Sequence, residues 1–262
     1  PKVVGADDPD SLEVAAAIYE SVISKVVKVS STSTAEAVKL TENIFRCVNI
    51  ALVNELKVIY EAMGVDVWEV IDAAATKPFG YMPFYPGPGL GGHCIPIDPY
   101  YLTYRAREFN VPTRFIELAG EINGQMPKLV VEKTILALSE FACKSIKTAK
   151  ILIVGMAYKK NIGDIRESAS LLIAQMLLDK GANVCFHDTH VQDIKNLKID
   201  NAKVTITSVD LTNETLKDSD VIIICTDHSD VDYEKIMAYS KIVVDTRNAT
   251  NGVIGDAIVV KA

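Results

Sequence analysis

Cys94 has the setting that most favours chemistry in this 262-residue chain. It lies in "GPGLGGHCIPID" (87–98), where glycines allow close backbone approach and prolines stiffen the loop. Asp98 and Pro99 predict a helix that begins there, with Asp98 as its N-cap. A thiol near a helix N-terminus forms a thiolate more easily, and this favours a reactive nucleophile over the commoner buried, inert cysteine.

The same stretch also fits G-x-G-x-x-G, the fingerprint of a dinucleotide-binding loop, through Gly87, Gly89 and Gly92. That fingerprint must follow a strand and open a helix, so that the pyrophosphate meets free N–H groups. Here it follows "PFYPGP", which suits no sheet interior. We therefore interpret the stretch as a substrate-holding loop rather than an NAD cradle; a loop that only makes turns is the simpler alternative.

A second group of polar residues lies on a long predicted helix. Ser33 and Glu36 form a capping box, and the helix is expected to run to about Met63 and end at Gly64. Helical spacing places five polar residues on one face, opposite an apolar one: Lys39, Asn43, Arg46, Asn54 and Lys57. Such a stripe is either the solvated side of the helix or the wall of a polar site, and spacing alone does not choose between them.

A third group follows predicted strands near the C-terminus. Lys159, Lys160 and Arg166 in "YKKNIGDIRES" could hold an anionic ligand such as a phosphate. Arg247 in "DTRN" ends another strand, and Asp188 resembles the ribose-binding acid of dinucleotide folds. Ligands of such sheets bind outside the carboxyl ends of the strands, so a binding edge is predicted there. The glycines of a dinucleotide loop are missing, so Asp188 alone does not favour a cofactor site.

The elements that must position these residues fall into three segments. Residues 1–31 have the pattern strand, helix, strand, which we interpret as the tail of an N-terminal sheet. Residues 32–147 are nearly all helical, and from 148 short apolar runs alternate with helices, as in a doubly wound parallel sheet. The predicted class is α/β: an all-helical central domain, then a Rossmann-like parallel-sheet domain over 148–262, with a remnant of an N-terminal sheet. Further helices are predicted at 67–75, 113–123 and 127–141, and strands at 150–155, 183–188, 203–207, 221–226 and 241–246.

Composition excludes several classes of function. The net charge is −7 and no basic run is present, so a nucleic-acid partner is not expected. No apolar run reaches the length of a membrane span. Five scattered cysteines without C-x-x-C indicate reduced thiols and a cytoplasmic location, and those other than Cys94 are expected to be packing residues. "HDTH" (187–190) holds the only close His pair, and we predict no metal site.

Taken together, the motifs resemble the UDP-glucose/GDP-mannose dehydrogenase family over essentially the whole chain. The resemblance rests on "AEAVKLTENIFRCVNIALVNEL", "GPGLGGHCIPIDPYYL", "AYKKNIGDIRES" and "DTRNA". The form "GGHCIPIDPYYL" resembles the branch that acts on UDP-N-acetylhexosamines, particularly UDP-N-acetyl-D-mannosamine or UDP-N-acetyl-D-glucosamine. The glucose and mannose branches usually carry Ser before the Cys and Lys before the Asp, where this chain has His93 and Ile97.

The resemblance implies an NAD-dependent, four-electron oxidation of the sugar C6 hydroxyl to a carboxylate, through a thiohemiacetal and then a thioester on Cys94. By motif match, Lys39 and Asn43 stabilise the oxyanion and position water, while Asp98 assists proton transfer or orients Lys39 and water. Arg166 matches a recurrent family arginine that we assign to the cofactor. The residues matched to substrate binding are Tyr85, Gly89, Gly91, Gly92, His93, Lys159 and Arg247.

At two positions this chain departs from the family pattern, so the family's residue roles do not apply there unchanged. Tyr85 stands where other branches often have a substrate-binding lysine, and Asn161 stands where the family usually has Asp. The family's N-terminal dinucleotide domain is represented only by 1–31, so we expect this chain alone to bind NAD poorly and not to turn over.

The resemblance also implies a homodimer formed by the central helices, with a UDP-N-acetylhexosamine as the substrate. Three alternatives stay open. The chain could be a non-catalytic nucleotide-sugar-binding module, it could act as a UDP-glucose 6-dehydrogenase, or it could be a simple two-electron dehydrogenase that uses its C-terminal sheet for NAD.

Overall fold

The computed structural model describes residues 1–199 and 202–262. Its N-terminal part is β1 (Lys2–Gly5), α1 (Pro9–Glu20) and β2 (Val26–Val29), and the two strands pair in parallel. Asp8 caps α1 by accepting the Ser11 N–H, and Pro9 takes the first helical position, where its missing N–H is not needed. The expected strand–helix–strand unit is therefore present.

Four helices form the central part: α2 (Thr32–Ala62), α3 (Val67–Ala75), α4 (Cys94–Glu108) and α5 (Arg114–Ala142). The long helix α2 packs against α4 and α5, and α3 packs on its C-terminal half. The predicted N-cap of α2 was wrong by two residues: the helix is capped by Ser31 and not by Ser33. Ser31 is extended (φ −159°) and accepts the Thr34 N–H at 3.0 Å.

The predicted break of α5 near Pro127 was wrong. Pro127 lies inside one continuous helix and is buried. A proline there removes one backbone hydrogen bond and costs about 3 kcal/mol in an isolated helix. That cost is offset here because α5 buries the residues of its inner side, Pro127 among them, against α2 and α6.

The C-terminal part is a parallel sheet with the strand order β4-β3-β7-β8-β9. Alternate residues of β3 face two different cores: Ile151 and Ile153 pack with α5 and α6, while Leu152 and Val154 pack with α7 and α8. This confirms the doubly wound fold. The elements are β3 (Lys150–Val154), α6 (Ala169–Asp179), β4 (Asn183–His187), β5 (Asp193–Ile199), β6 (Ala202–Thr207), α7 (Asn213–Asp218), β7 (Val221–Ile224), α8 (Tyr233–Tyr239), β8 (Ile242–Asp245) and β9 (Ile258–Lys261).

The sequence analysis assigned one strand to the wrong sheet. The run at 203–207 forms β6, which pairs antiparallel with β5 in a separate two-stranded ribbon. Its residues alternate between half-buried and exposed, whereas every residue of β7 and β8 is buried. The sheet is completed instead by β9, an edge strand that the sequence pattern did not predict. None of the helices in the described ranges is long and apolar enough to cross a bilayer.

Candidate functional site

Cys94 is the first residue of α4 and its thiol-bearing side chain is exposed. The predicted N-cap at Asp98 was therefore wrong, because the helix begins four residues earlier, after His93. Pro96 falls in the first turn, where no backbone N–H is required, and Pro99 is accommodated in the buried side of α4. The consequence is that Cys94 and Asp98 are one helical turn apart and share a face of α4.

Asp98 is held by the long helix. Asn43, which is fully buried, donates its side-chain N–H to Asp98 Oδ2 at 2.5 Å. Arg46 donates to the other end of the same amide, Asn43 Oδ1. Because an amide oxygen only accepts and its nitrogen only donates, the Arg46 contact fixes the orientation in which Asn43 reaches Asp98.

Lys39 lies one turn before Asn43 on α2, and its side chain stays largely exposed. Its Nζ is 3.9 Å from Glu42 Oε2, and Arg46 Nη2 is equally distant from that carboxylate. Glu42 was missed by sequence reasoning, since nothing separates it from a solvated acid until α2 is placed. Of the predicted polar stripe, Asn43, Asn54 and Lys57 are buried, so the stripe is largely an inner wall rather than a solvated face.

The glycine-rich loop is anchored from both sides. The Gly87 N–H donates to Asn54 Oδ1 at 3.0 Å, and Asn54 donates in turn to Asn123 Oδ1 on α5 at 2.9 Å. On its other side Gly87 lies against the Arg247 guanidinium, with no space for a Cβ atom. The loop thus crosses from the helices to the carboxyl edge of the sheet.

Gly91 and Gly92 make the closest part of that crossing. Gly92 has φ +86° and donates its N–H to the Arg166 carbonyl oxygen at 3.0 Å. A Cβ on Gly91 or Gly92 would collide with Tyr158, at 2.5 Å and 2.9 Å. The glycines therefore permit a close backbone approach, as expected, but the approach that the structure shows is to Tyr158. This contact brings Cys94 to the junction of helices and sheet.

Arg247 lies across the carboxyl end of the sheet. Its Nε donates to the Cys225 carbonyl oxygen at 2.9 Å, directly after β7, and burial lowers the pKa of its guanidinium. The strands β3 and β7 are neighbours whose connections leave in opposite directions, which is where doubly wound sheets bind ligands. Arg247 thus marks the predicted binding edge.

The basic residues after β3 differ in whether they already form an ion pair with an acidic side chain. Lys160 lies 3.3 Å from Asp227, and Arg166 binds Asp164 through Nε at 3.0 Å and Nη2 at 2.6 Å, which raises the pKa of Arg166. Lys159 is exposed and has no hydrogen-bond or ion-pair partner within the described ranges. Of these three cations, Lys159 is the one most available to a ligand.

Two of the sequence-matched positions have structural partners. Tyr85 stacks on Trp68 with ring centroids 5.4 Å apart and donates its hydroxyl to Asp72 at 2.7 Å, so its phenol is tied to α3. Asn161 adopts φ +60°, a conformation that asparagine tolerates better than most residues. Its amide both donates to and accepts from Ser229, which an aspartate at this position could not do.

Asp188 is a buried structural acid rather than a ribose ligand. Burial would raise its pKa, but hydrogen bonds from His228 and from the His190, Met156 and Ala157 N–H groups lower the pKa to about 2. With both carboxylate oxygens bound, no acceptor is left for a ribose hydroxyl. His228 was not singled out from the sequence.

One group of side chains has the spacing of a metal site: His190, His228 and Asp230. His228 Nδ1 accepts the Asn161 N–H at 2.9 Å, so its Nε2 carries the proton and donates to Asp188 at 3.2 Å. Both ring nitrogens of His228 are therefore in use, and the group offers no complete ligand set.

The other four cysteines were predicted to be packing residues, and one of them is not. Cys47 and Cys225 are buried, and burial raises the pKa of the Cys225 thiol to about 12. Cys185 is half-buried, but Cys143 is exposed and caps the end of α5 in the left-handed conformation. Cys143 is not a packing residue.

No NAD cradle is formed by the described residues. The motif Gly87–Gly92 follows no strand and is packed against Tyr158 and Arg247. The connection from β3 to α6 runs from 155 to 168, too long for the tight turn that places a pyrophosphate on a helix N-terminus.

Comparison with known proteins places this geometry in a family. The profile of the UDP-glucose/GDP-mannose dehydrogenase family, central domain, matches residues 33–125, and that of the family's UDP binding domain matches 152–252. A UDP-N-acetyl-D-mannosamine dehydrogenase of Methanocaldococcus jannaschii is 34% identical over 95% of this chain and 55% of its own length. An NDP-N-acetyl-D-galactosaminuronic acid dehydrogenase of Ralstonia nicotianae is 32% identical over 94% of this chain and 55% of its own.

Among solved structures, the UDP-D-ManNAc dehydrogenase of Pyrococcus horikoshii superposes with a TM-score of 0.83 at 30% identity. The superposition covers 98% of this chain and 58% of that one. The chain thus spans little more than half the length of these relatives.

Proposed function

The chain belongs to the UDP-glucose/GDP-mannose dehydrogenase family, and from that premise we propose that the protein oxidises the C6 hydroxyl of a UDP-N-acetylhexosamine to the carboxylate. UDP-N-acetyl-D-mannosamine is the favoured substrate, because relatives named for that activity match nearly the whole chain. The observation that carries the proposal is the placement of an exposed Cys94 on one face of α4 with Asp98, which Asn43 holds from α2.

The described residues can carry out the steps in which the C6 aldehyde of the sugar reacts with the Cys94 thiol. The Cys94 sulfur adds to the C6 aldehyde, and the carbonyl oxygen takes up a proton to give a thiohemiacetal. Oxidation of the thiohemiacetal to the thioester removes a hydride from that carbon and the proton from its hydroxyl. Like the first oxidation, from alcohol to aldehyde, it requires a hydride acceptor, which would be NAD. Water then adds to the thioester, the C–S bond breaks, and the carboxylate leaves with the thiol regenerated. Lys39 supplies positive charge near the developing oxyanion, while Asn43 and Asp98 orient water and move its proton.

NAD is the hydride acceptor that the family resemblance implies. The described residues do not fit it, because they contain no dinucleotide cradle, and no step of the chemistry is assigned to them through NAD. We therefore place the NAD site outside the described residues and expect this chain alone not to turn over. The assignment of Arg166 to the cofactor stays a prediction; in the structure its guanidinium pairs with Asp164. Steady NADH production by the 262-residue chain with UDP-N-acetyl-D-mannosamine would contradict this expectation.

Substrate binding is assigned to the edge where loop and sheet meet. Lys159 is free to pair with a diphosphate, Arg247 lies at the carboxyl end of β7, and the loop that carries Gly89, Gly91, Gly92 and His93 lies beside them. Residues 148–262 accordingly bind the UDP-sugar, and residues 32–147 supply the catalytic helices. Tyr85 contributes through its contacts with α3 rather than as a charged ligand.

Self-association and location belong to the same proposal. Large apolar side chains are exposed along α2 and at its C-cap, which supports a homodimer through the central helices: Phe45, Leu52, Val58, Ile59 and the C-cap residue Met63. All five thiols are free, which agrees with a reducing, cytoplasmic setting. Sedimentation that shows only monomer would contradict the dimer.

The decisive experiment replaces Cys94 by alanine in the whole protein and measures the acid product from a panel of UDP-sugars. Loss of acid product is expected, while Cys143→Ala, which removes the other exposed thiol, keeps activity. Little change in Cys94→Ala would favour a simple two-electron dehydrogenase, and an inactive parent would favour a binding module. A preference for UDP-glucose within the panel would overturn the substrate assignment.

A further inference from the structure

Lys57 is a buried cation that the proposed chemistry does not use. It lies on α2, is only 3% exposed, and its Nζ has no hydrogen-bond partner among the described residues. A buried ammonium without a partner loses its hydration and gains nothing in return, so such groups are rare unless a ligand accompanies them. Burial, together with the neighbouring Lys133, lowers the pKa of Lys57 to about 8, so the ammonium form still predominates at neutral pH.

Lys57 lines a cavity of about 300 Å³ between three elements: the end of α2, the start of α3 and the end of β9. The cavity is distinct from the loop and sheet edge around Cys94. Its volume is at the lower limit for small-molecule sites, so it suits a small ligand.

The acidic side chains around this cavity are already paired with other lysines. Glu61 is paired with Lys133, and Asp66 is paired with Lys261 at 2.5 Å. Lys133 is further held by the Lys261 carbonyl oxygen at 2.8 Å. Both carboxylates thus already have a cation of their own. Lys57 forms no ion pair within the described residues, and Glu61 acts on it only as a nearby charge.

A helix N-terminus adds to the positive potential. α3 begins at Val67, and its first residues, Val67 and Trp68, line the cavity. The backbone dipoles of a helix favour an anion at this end. The N-cap carboxylate of Asp66 uses the Trp68 N–H at 2.9 Å and offsets part of that potential, so the unpaired Lys57 is the group that attracts the ligand.

We propose that this cavity binds a small oxyanion, such as inorganic phosphate or a short dicarboxylate, beside the N-terminus of α3. The Lys57 nitrogen is covered in the structure, so the side chain turns toward the cavity to form an ion pair with the bound anion. Val260 and Lys261 of β9 form the far wall, so the bound anion ties the central helices to the edge of the sheet. Both ligand classes share the feature that the site recognises, a compact group of negatively charged oxygens.

The chain carries its own reporter for this site. Trp68 is the single tryptophan of the sequence and lines the cavity. Its fluorescence is to be followed in the 262-residue chain at pH 7 and constant ionic strength, while chloride is replaced by phosphate or by malonate. A saturable change is expected; a response to phosphate alone identifies a tetrahedral anion, and a response to both identifies a general oxyanion site.

Variants separate binding from folding. Lys57→Met is expected to weaken the response at least tenfold, Lys57→Arg to retain it, and Lys180→Met, at an exposed lysine of the sheet region, to leave it unchanged. If Lys57→Met does not fold, as judged by circular dichroism, Lys261→Met serves instead, because it leaves Asp66 unpaired and must weaken binding. A wild-type signal that does not saturate, or one that the folded variant reproduces unchanged, overturns the proposal.

Discussion

Asn43 donates its side-chain N–H to Asp98 at 2.5 Å, and this hydrogen bond links the long helix α2 to the helix that begins with Cys94. Asp98 lies one turn beyond Cys94 on the same face, so the contact sets the position of the carboxylate relative to the thiol. Arg46 holds the opposite end of the amide. The three helical side chains therefore act as one positioned unit.

Asn43→Ala removes both of these hydrogen bonds and should lower kcat of the whole protein roughly 100-fold, the usual cost of a lost oxyanion-stabilising or water-positioning group. KM for the UDP-sugar should change little, because Asn43 acts on the chemistry at Cys94 through Asp98 and does not contact the nucleotide. Asn49→Ala is the matched control, since among the described residues that amide bonds only the Phe45 carbonyl oxygen of its own helix. An Asn43→Ala enzyme with unchanged kcat would remove Asn43 from the catalytic assignment.

Gly92→Ala should destabilise the chain by about 2 kcal/mol, since a residue with a Cβ is strained at φ +86° and would press on the Tyr158 ring. Gly124→Ala provides the contrast. Gly124 lies in α5, and a Cβ added there would meet no atom within 4 Å, so alanine should stabilise the helix by about 0.5–1 kcal/mol. Urea denaturation of both variants measures the two effects, and equal midpoints would contradict the account of the loop.

Lys57→Met should stabilise the chain at neutral pH in an oxyanion-free buffer. The pKa of Lys57 is about 8 in the folded chain against an ordinary value of 10.5, so folding opposes its protonation. Wild-type stability should therefore rise as the pH increases from about 8 to 10.5, by up to about 3 kcal/mol. The variant should lack this rise; Lys133 and Glu61, the other charged groups beside Lys57, are unchanged in it. Parallel pH curves for the two proteins would contradict the assignment.

Lys159→Met should weaken UDP binding by the 262-residue chain about tenfold, because one charge-assisted hydrogen bond to a phosphate is worth roughly 1.5–3 kcal/mol. Lys160→Met should have a smaller effect, since Lys160 is already paired with Asp227 at 3.3 Å. Isothermal titration with UDP compares the two. A larger loss for Lys160→Met would exchange the roles of these neighbouring lysines.

Much of the architecture could be predicted from local patterns. The runs around Ile151 and Ile222 are almost continuously apolar because both faces of their strands are covered. Such a run predicts a buried strand even when the helices that cover it are not known. The motif around Cys94 likewise identified the family, and the nucleophile was predicted through it. The strand at 203–207 was misplaced because an alternating run indicates a half-exposed strand but not which sheet contains it.

Only the tertiary structure decided where the chain overrides its local preferences. Pro99 and Pro127 each predict a helix boundary, yet both lie inside helices, since buried packing against neighbouring helices offsets the lost hydrogen bond. The same packing decided which residues of the polar stripe on α2 became an inner wall. Sequence spacing placed Asn43 and Lys57 on one face, but the docking of α4 gave Asn43 a partner, whereas the meeting of α2, α3 and β9 buried Lys57 without one among the described residues.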